Sequence, residues 1–345
     1  MNSGSKAVRN NSSPDNTLKP AAINRNLYNV FPSFAMLAGM QLDLFTPLKD
    51  NPMRAKALAD IMGVQEEKIK PLLYLLVTAG LLKVEDEVFS NTDEAAKFLV
   101  RGRPDYMGES GAFYKVLWEL ALKTAESIRS GKPQAKLDFH GLPDEELLNY
   151  FRKQFHHSLS GGREIAEKFD FSQFQRLLDA GGGSGGVSIA LCGKYPNVKA
   201  TVADLPKVSN LAEKFIAEAG MSERITVSAV DLCTDSPSGT YDAAILRAVI
   251  QTLSREEAQA TLANVSRAVA PGGQIYIFGT VLDNSHLGPP ISMAYSLVFL
   301  NSYDNGQAYT EKEYHDMLTQ AGFTGITVDY EALDGMCLIH AEKKA

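Results

Sequence analysis

The stretch Asp179-Ala-Gly-Gly-Gly-Ser-Gly-Gly186 decides the fold of this chain. It directly follows an apolar strand pattern at 176–178 and opens a predicted helix over 187–194. A glycine-rich turn between a strand and a helix brings bare backbone up to a ligand at the helix N-terminus. Because dinucleotide-binding folds use the same physics, the turn by itself does not identify the ligand.

The surrounding segment, 174–343, alternates strand and helix patterns, which predicts a mostly parallel sheet covered on both faces. Ligands of such sheets bind at the carboxyl ends of the strands. The second strand ends at Asp204, 21 residues after Gly183, where a carboxylate can accept both hydroxyls of a ribose. The third ends at Asp231, and the apolar Leu232 follows it, which suits the amine and the ring face of an adenine.

The N-terminal part has a different pattern. Residues 1–20 are polar and predict a mobile or arm-like tail, and residues 21–50 predict helices that are apolar nearly all round, so a second subunit is expected to cover them. Between 52 and 99 the pattern reads helix, helix, hairpin, which resembles a winged helix. Its second helix offers only Lys68 and Lys70 beside two glutamates, which disfavours DNA binding.

Composition narrows the class further. The 345 residues are 45% hydrophobic and 22% charged, which is typical of a globular chain of about two domains. A net charge of −7 disfavours nucleic acid as a partner. Neither a membrane span nor a secretory signal is recognisable, so the expected location is the cytoplasm. Three widely spaced cysteines and scattered histidines predict no metal site.

Six segments, in this order and spacing, resemble class I S-adenosylmethionine (SAM) methyltransferases of the plant caffeate/acetylserotonin O-methyltransferase type: LLDAGGGSGGVSIAL, VADLPKV, AVDL, LRAVIQTLS, APGGQIYIFG and YTEKEYHDMLTQAGF. The resemblance covers about residues 20–343 and includes that family's N-terminal dimerisation domain. It implies an α/β fold with a doubly wound Rossmann-like SAM-binding domain, a homodimer, and SAM converted to S-adenosylhomocysteine (SAH) without a metal. The expected divisions are a tail at 1–20, a winged-helix-like dimerisation domain at 21–105, linking helices at 106–168 and the methyltransferase domain at 169–345.

The resemblance also implies the roles of individual residues. In that family the glycine turn and a nearby acidic residue hold the methionine part of SAM, the next aspartate holds the ribose, and an aspartate-apolar pair flanks the adenine. A lysine or arginine stands near the cofactor. The corresponding residues here are Asp179, Gly181, Gly183, Asp204, Leu205, Asp231, Leu232 and Arg247.

Two departures from the family concern the chemistry. After the fourth strand the O-methyltransferases have a histidine that removes the proton of the acceptor hydroxyl, and Gln251 stands there instead. An amide has no protonation near neutral pH and cannot act as a base. The assisting carboxylate of a later family segment is also replaced, by Ala308. Both parts of the deprotonation machinery are therefore missing.

Three explanations stay open. The favoured one is an acceptor that needs no deprotonation, such as the thioether sulfur of 4-methylthio-2-hydroxybutyrate, which some members of the superfamily methylate on a route to dimethylsulfoniopropionate; the enzyme then only has to align the partners and exclude water. The second is an O- or C-methyl acceptor such as a phenol, with another base or an ionised substrate. The third is a catalyst that retains SAM without transferring a methyl group.

The acceptor is expected to meet side chains from the segments before the glycine turn and from the segment near Phe299. An α-hydroxy carboxylate would need cations or hydroxyl donors, which this set contains. The predicted acceptor-binding residues are Tyr106, Glu109, Phe113, Tyr114, Phe155, His156, His157, Arg163, Gln251 and Phe299. A SAM-sensing DNA-binding regulator is the alternative to an enzyme, and the acidic charge disfavours it.

Overall fold

The structure is a computed structural model that describes residues 18–103, 106–108, 111–139, 141–333 and 335–345, without the side chains of Ala112 and Phe113. The chain divides into two compact units between Trp118 and Glu119. This point lies inside the predicted linking segment 106–168. The predicted tail 1–20 lies almost wholly outside the described residues.

The first unit consists of helices and a small antiparallel sheet with strand order β1-β3-β2. Gly63 adopts a left-handed conformation (φ 66°) and ends the third helix. The predicted helix, helix and hairpin are confirmed. The elements are α1 Ala21–Tyr28, α2 Val30–Gln41, β1 Met53–Arg54, α3 Ala55–Met62, α4 Glu66–Thr78, β2 Leu82–Glu85, β3 Val88–Asn91, α5 Asp93–Phe98 and α6 Gly111–Ala121, which runs across the division.

The second unit contains a seven-stranded sheet with strand order β11-β12-β8-β7-β4-β5-β6. Its elements are α7 Thr124–Ser130, α8 Asp144–Lys168, β4 Arg176–Ala180, α9 Gly186–Lys194, β5 Lys199–Asp204, α10 Pro206–Glu218, β6 Ile225–Ala229, β7 Tyr241–Arg247, α11 Arg255–Ala268, β8 Val269–Gly279, β9 Val281–Leu282, α12 Pro290–Ser302, β10 Tyr309–Thr310, α13 Glu311–Gln320, β11 Phe323–Leu333 and β12 Met336–Lys343. None of the helices in the described part of the chain is long and apolar enough to cross a membrane.

Strand order determines where a ligand can bind. The five strands from β8 to β6 run parallel, β12 pairs antiparallel with β8, and β11 pairs antiparallel with β12. From β4 the chain proceeds outward through β5 and β6, and it then returns to the other side of β4 with β7 and β8. This reversal opens a crevice at the carboxyl ends of β4 and β7. The mostly parallel doubly wound sheet predicted from the sequence is confirmed.

The N-terminal helices leave apolar surface uncovered within the chain. No residue of α1 is buried, and Leu27 and Phe31 are 61% and 49% exposed. Large aromatic and aliphatic side chains are seldom left in water over two consecutive helices unless another protein surface covers them. This surface fits the expected homodimer.

We expect the double substitution Leu27→Asp/Phe31→Asp to abolish or strongly weaken self-association, because it places two charges in a surface that association would bury. Light scattering coupled to size-exclusion chromatography measures the effect. Leu287→Asp is the matched control, since Leu287 is 82% exposed and lies in the other unit. A dimer of unchanged stability in the double variant would contradict the assignment of this surface.

Candidate active site

The turn after β4 is a cradle in which side chains have no room. Gly181 (φ 70°) and Gly183 (φ 58°) are both left-handed, a conformation that favours glycine. The Gly181 N–H donates to the Ala203 carbonyl at 2.7 Å. A Cβ at position 181 would stand 2.5 Å from Val249 Cγ2, and one at position 183 would stand 3.0 Å from Phe151. Glycine at both positions therefore lets the residue after β7 and helix α8 approach the turn.

Asp179 lies beneath this turn. Its side chain is 1% exposed and accepts a hydrogen bond from the Ser188 hydroxyl at 2.7 Å. Burial raises the pKa of Asp179 to about 6, although the Ser188 hydrogen bonds and the Arg247 charge act in the opposite direction. The hydrogen bond between Asp179 and Ser188 thus joins β4 to α9.

Asp204, at the end of β5, fixes the other side of the turn. One carboxylate oxygen accepts the Gly183 N–H at 2.8 Å and the other accepts the Leu205 N–H at 2.7 Å. Burial raises the pKa of Asp204 to about 6 as well. Each carboxylate oxygen has two lone pairs, so both can accept a further hydrogen bond from a ligand hydroxyl.

Asp231 and Leu232 follow β6 and form a third part of the crevice. The Asp231 carboxylate accepts the Cys233 N–H at 2.9 Å, which closes a local turn. Leu232 is buried, and its carbonyl accepts a hydrogen bond from the Asn264 side chain at 2.8 Å. A carboxylate and an apolar wall are thus held side by side.

Arg247 ends β7 and lies flat against helix α8. A Cβ at Gly161 would stand 2.6 Å from Arg247 Nη2, so the helix must carry a glycine there. Nη2 lies 3.3 Å from His157 Nε2. Because a guanidinium only donates hydrogen bonds, His157 Nε2 is the acceptor and the ring is neutral with its proton on Nδ1. Burial and the Arg247 charge both lower the pKa of His157.

Gln251 occupies the short 3₁₀ turn Ile250–Thr252 that follows β7. Its side chain is 3% exposed, and Oε1 has no hydrogen-bond partner among the described residues. The backbone carbonyl of Gln251 accepts the Gln307 N–H at 2.9 Å. A buried amide is therefore held in this turn, and its correspondence to the family's base stays a prediction.

The other predicted acceptor residues are spread widely. His156 is exposed and meets the Phe155 ring edge-on at 5.8 Å, and Arg163 is exposed. Phe155 stacks on Phe215 at 4.9 Å between ring centroids, which directs it into the core. Phe299 is buried. Tyr106 and Tyr114 belong to the first unit, where they lie before and within α6. The side chain of Phe113 and the whole of Glu109 lie outside the described residues.

Sequence reasoning missed how α8 and β7 reach the turn. A Cβ at Gly162 would stand 2.8 Å from Val187 Cα, and one at Gly186 would stand 2.8 Å from the Leu159 nitrogen. Two consecutive glycines inside a long helix weaken it, so Gly161 and Gly162 were a sequence signal of close packing. Ala248 has φ 59° without being glycine, and the sequence carried no signal of this strain.

Comparison with known proteins identifies the family. Residues 130–324 match the O-methyltransferase domain family, and residues 27–101 match the O-methyltransferase dimerisation domain. The chain belongs to the O-methyltransferase family. The fold class, the enzyme class and membership of the SAM-dependent methyltransferases, all predicted from the sequence, are thereby confirmed.

Three relatives place this O-methyltransferase among characterised proteins. It is 30% identical to 3-hydroxy-5-methyl-1-naphthoate 3-O-methyltransferase of Streptomyces sahachiroi, over 83% of this chain and 84% of that one. It is also 30% identical to acetylserotonin O-methyltransferase of Bos taurus, over 85% and 89%. The structure of human N-acetylserotonin methyltransferase in complex with SAM shares the fold, with a TM-score of 0.74, 23% identity and coverage of 96% and 99%.

We expect Asp179→Asn to remove a pH dependence from stability. The native pKa lies above the unfolded value of 3.8, so wild-type stability falls as the pH rises from about 4 to about 6. The loss is on the order of 3 kcal/mol. Urea unfolding at pH 4, 5, 6 and 7 should show that the free energy of unfolding of the variant, relative to that of wild type, increases with pH across this window. Asp235→Asn, at an exposed aspartate, is the control, and parallel profiles for Asp179→Asn would contradict the expectation.

Gly181→Ala should cost about 2 to 4 kcal/mol of stability, because left-handed strain and the collision with Val249 add together. It should also weaken SAM binding. Gly220→Ala is the matched control: φ is 68° there and nothing lies within 4 Å of the new Cβ, so only about 1 kcal/mol of strain is expected. Denaturant unfolding and calorimetry with SAM measure both effects. Equal costs for the two variants would contradict the close approach.

Proposed function

We propose that this O-methyltransferase family member uses SAM to methylate a small molecule at an atom that carries no proton, and that the best-fitting acceptor is a thioether such as 4-methylthio-2-hydroxybutyrate. The observation that carries the proposal is the buried, uncharged amide of Gln251 at the position of the family's base. A thioether sulfur attacks through a free lone pair, so the protein has to align it and does not have to remove a proton.

The residues of the crevice fit SAM. The cradle at Gly181 and Gly183 has room for backbone contact with a ligand and none for side chains. Asp204 retains lone pairs for the ribose hydroxyls, and Asp231 with Leu232 suits the adenine. Bound SAM supplies an activated methyl group on a sulfonium.

Neither Gln251 nor His157 is a ready base for the acceptor. Gln251 cannot take up a proton near neutral pH. His157 is the imidazole at Arg247, and its Nε2 lone pair already accepts a hydrogen bond from the guanidinium. Protonating His157 would break that contact and place two cations side by side; burial first and then the Arg247 charge lower the pKa of His157. The site therefore favours an acceptor that loses no proton.

A ring hydroxyl is the second candidate, because both similar relatives described above are named for ring substrates, a naphthoate and acetylserotonin. The two candidates differ in product. SAM with 4-methylthio-2-hydroxybutyrate should yield a sulfonium, whereas a naphthol should yield a methyl ether. Mass spectrometry of reactions with thioether, phenol and carboxylate acceptors distinguishes them. O-methylated product alone would overturn the thioether proposal.

The pH profile of Gln251→His provides an independent test. With a thioether, the wild-type rate at saturating substrates should not rise with pH through a catalytic base, and the introduced histidine should leave the rate unchanged or lower it by crowding the sulfur. With a phenol, the rate should rise with pH towards the ionisation of the acceptor, and the histidine should increase it. Single-turnover rates between pH 6 and 9 measure this, and acceleration by Gln251→His would contradict the proposal.

A further inference from the structure

The side chain of Gln251 lies in space that a glycine keeps open. A Cβ at Gly279 would stand 2.9 Å from Gln251 Oε1 and 3.5 Å from its Cδ. A carbon and an oxygen do not come this close without a hydrogen bond between them, so alanine at 279 would make the end of the flexible Gln251 side chain shift from its position. Gly279 ends the buried strand β8, and its backbone is free of left-handed strain. The glycine is therefore needed for the amide and not for the strand.

The backbone of Gln251 is fixed as well. Its carbonyl accepts the Gln307 N–H, and a Cβ at Gly306 would stand 3.0 Å from that carbonyl and 2.8 Å from Tyr303 Cβ. The turn at 303–307 is thus packed directly on Gln251. An amide held so firmly on its backbone side can present its end group in a defined position.

The end group is nevertheless unsatisfied. Gln251 is 3% exposed, and Oε1 receives no hydrogen bond from the described residues. A buried amide oxygen without a donor is costly, and proteins retain such atoms where a ligand supplies the missing partner. An uncharged O–H donor suits this surrounding, since it brings no charge that would need a counter-charge.

We propose that Gln251 selects the acceptor by a hydroxyl group that is not itself methylated, which donates a hydrogen bond to the amide oxygen. The inference rests on the proposed function, in which the sulfur is the methylated atom and the C2 hydroxyl of 4-methylthio-2-hydroxybutyrate is the donor. Gln251 then reads and orients the acceptor at the position where its relatives have a base. Gly279 is a positioning residue that acts through Gln251.

Binding measurements test this without turnover. The protein is saturated with SAH, and calorimetry measures the affinity for 4-methylthio-2-hydroxybutyrate and for 4-methylthiobutyrate, which lacks only the hydroxyl. The wild type should bind the hydroxy compound about 10- to 100-fold more tightly, as expected when a buried acceptor is left unpaired by the deoxy compound. This ratio is the readout, because a general loss of structure would weaken both compounds alike.

Two variants should lower this affinity ratio by different routes. Gln251→Leu removes the amide, and Gly279→Ala displaces it while keeping its chemistry. In both, the preference for the hydroxy compound should fall to about 3-fold or less, and the affinity for SAH should not change. Gln320→Leu, at an exposed glutamine on α13, is the control and should keep the wild-type ratio. Thermal unfolding checks that each variant is folded. If Gln251→Leu is unfolded, the ratio measured with Gly279→Ala alone tests the inference.

The outcomes are distinct. Equal binding of the two thioethers by wild type, or a preference that survives both substitutions, would overturn the role of Gln251 and leave the proposed function standing. Failure of both thioethers to bind the SAH complex would overturn the proposed function and this inference with it.

Discussion

The structure depends on one close approach, in which the segment after β7 and helix α8 meet the glycine turn after β4 where a Cβ would have little room. Val249 touches the turn at Gly181, Phe151 touches it at Gly183, and α8 touches α9 through Gly162. Protein interiors are packed as densely as crystals. Elements that touch in this way therefore cannot shift independently of one another. The helix before the sheet and the segment after β7 are thus held relative to the cofactor turn.

Charge is buried around the same turn, and it works against stability. Asp179 and Asp204 both have pKa values raised to about 6 by burial, so each carboxylate is held charged at neutral pH at a cost. Backbone and hydroxyl donors offset part of it, from Ser188, Gly183 and Leu205. Proteins retain such groups where a ligand uses them, which agrees with the proposed roles in binding SAM.

The chemistry proposed for the site depends on two side chains, His157 and Gln251. The Arg247 guanidinium donates to His157, and Gln251, in the turn that follows β7, is a buried neutral amide. A methyltransferase built this way contributes alignment, exclusion of water and neutral hydrogen bonds. These are the contributions that a sulfur nucleophile needs, because it has no proton to lose.

Local sequence was enough to predict several features. The glycine run at 179–186 with carboxylates at successive strand ends predicted the sheet and its ligand edge, because these patterns depend on neighbouring residues alone. The sequence also predicted that Gln251 replaces the family's base, and this stays a prediction. What only the tertiary structure decided is which side chains meet: that His157 meets Arg247 whereas His156 meets Phe155, that Phe155 packs on Phe215, and that Gly279 makes room for the Gln251 amide. Apart from the contact between His156 and Phe155, these contacts join residues 60 to 90 and 28 positions apart, and their geometry arises from packing between elements that no local pattern encodes.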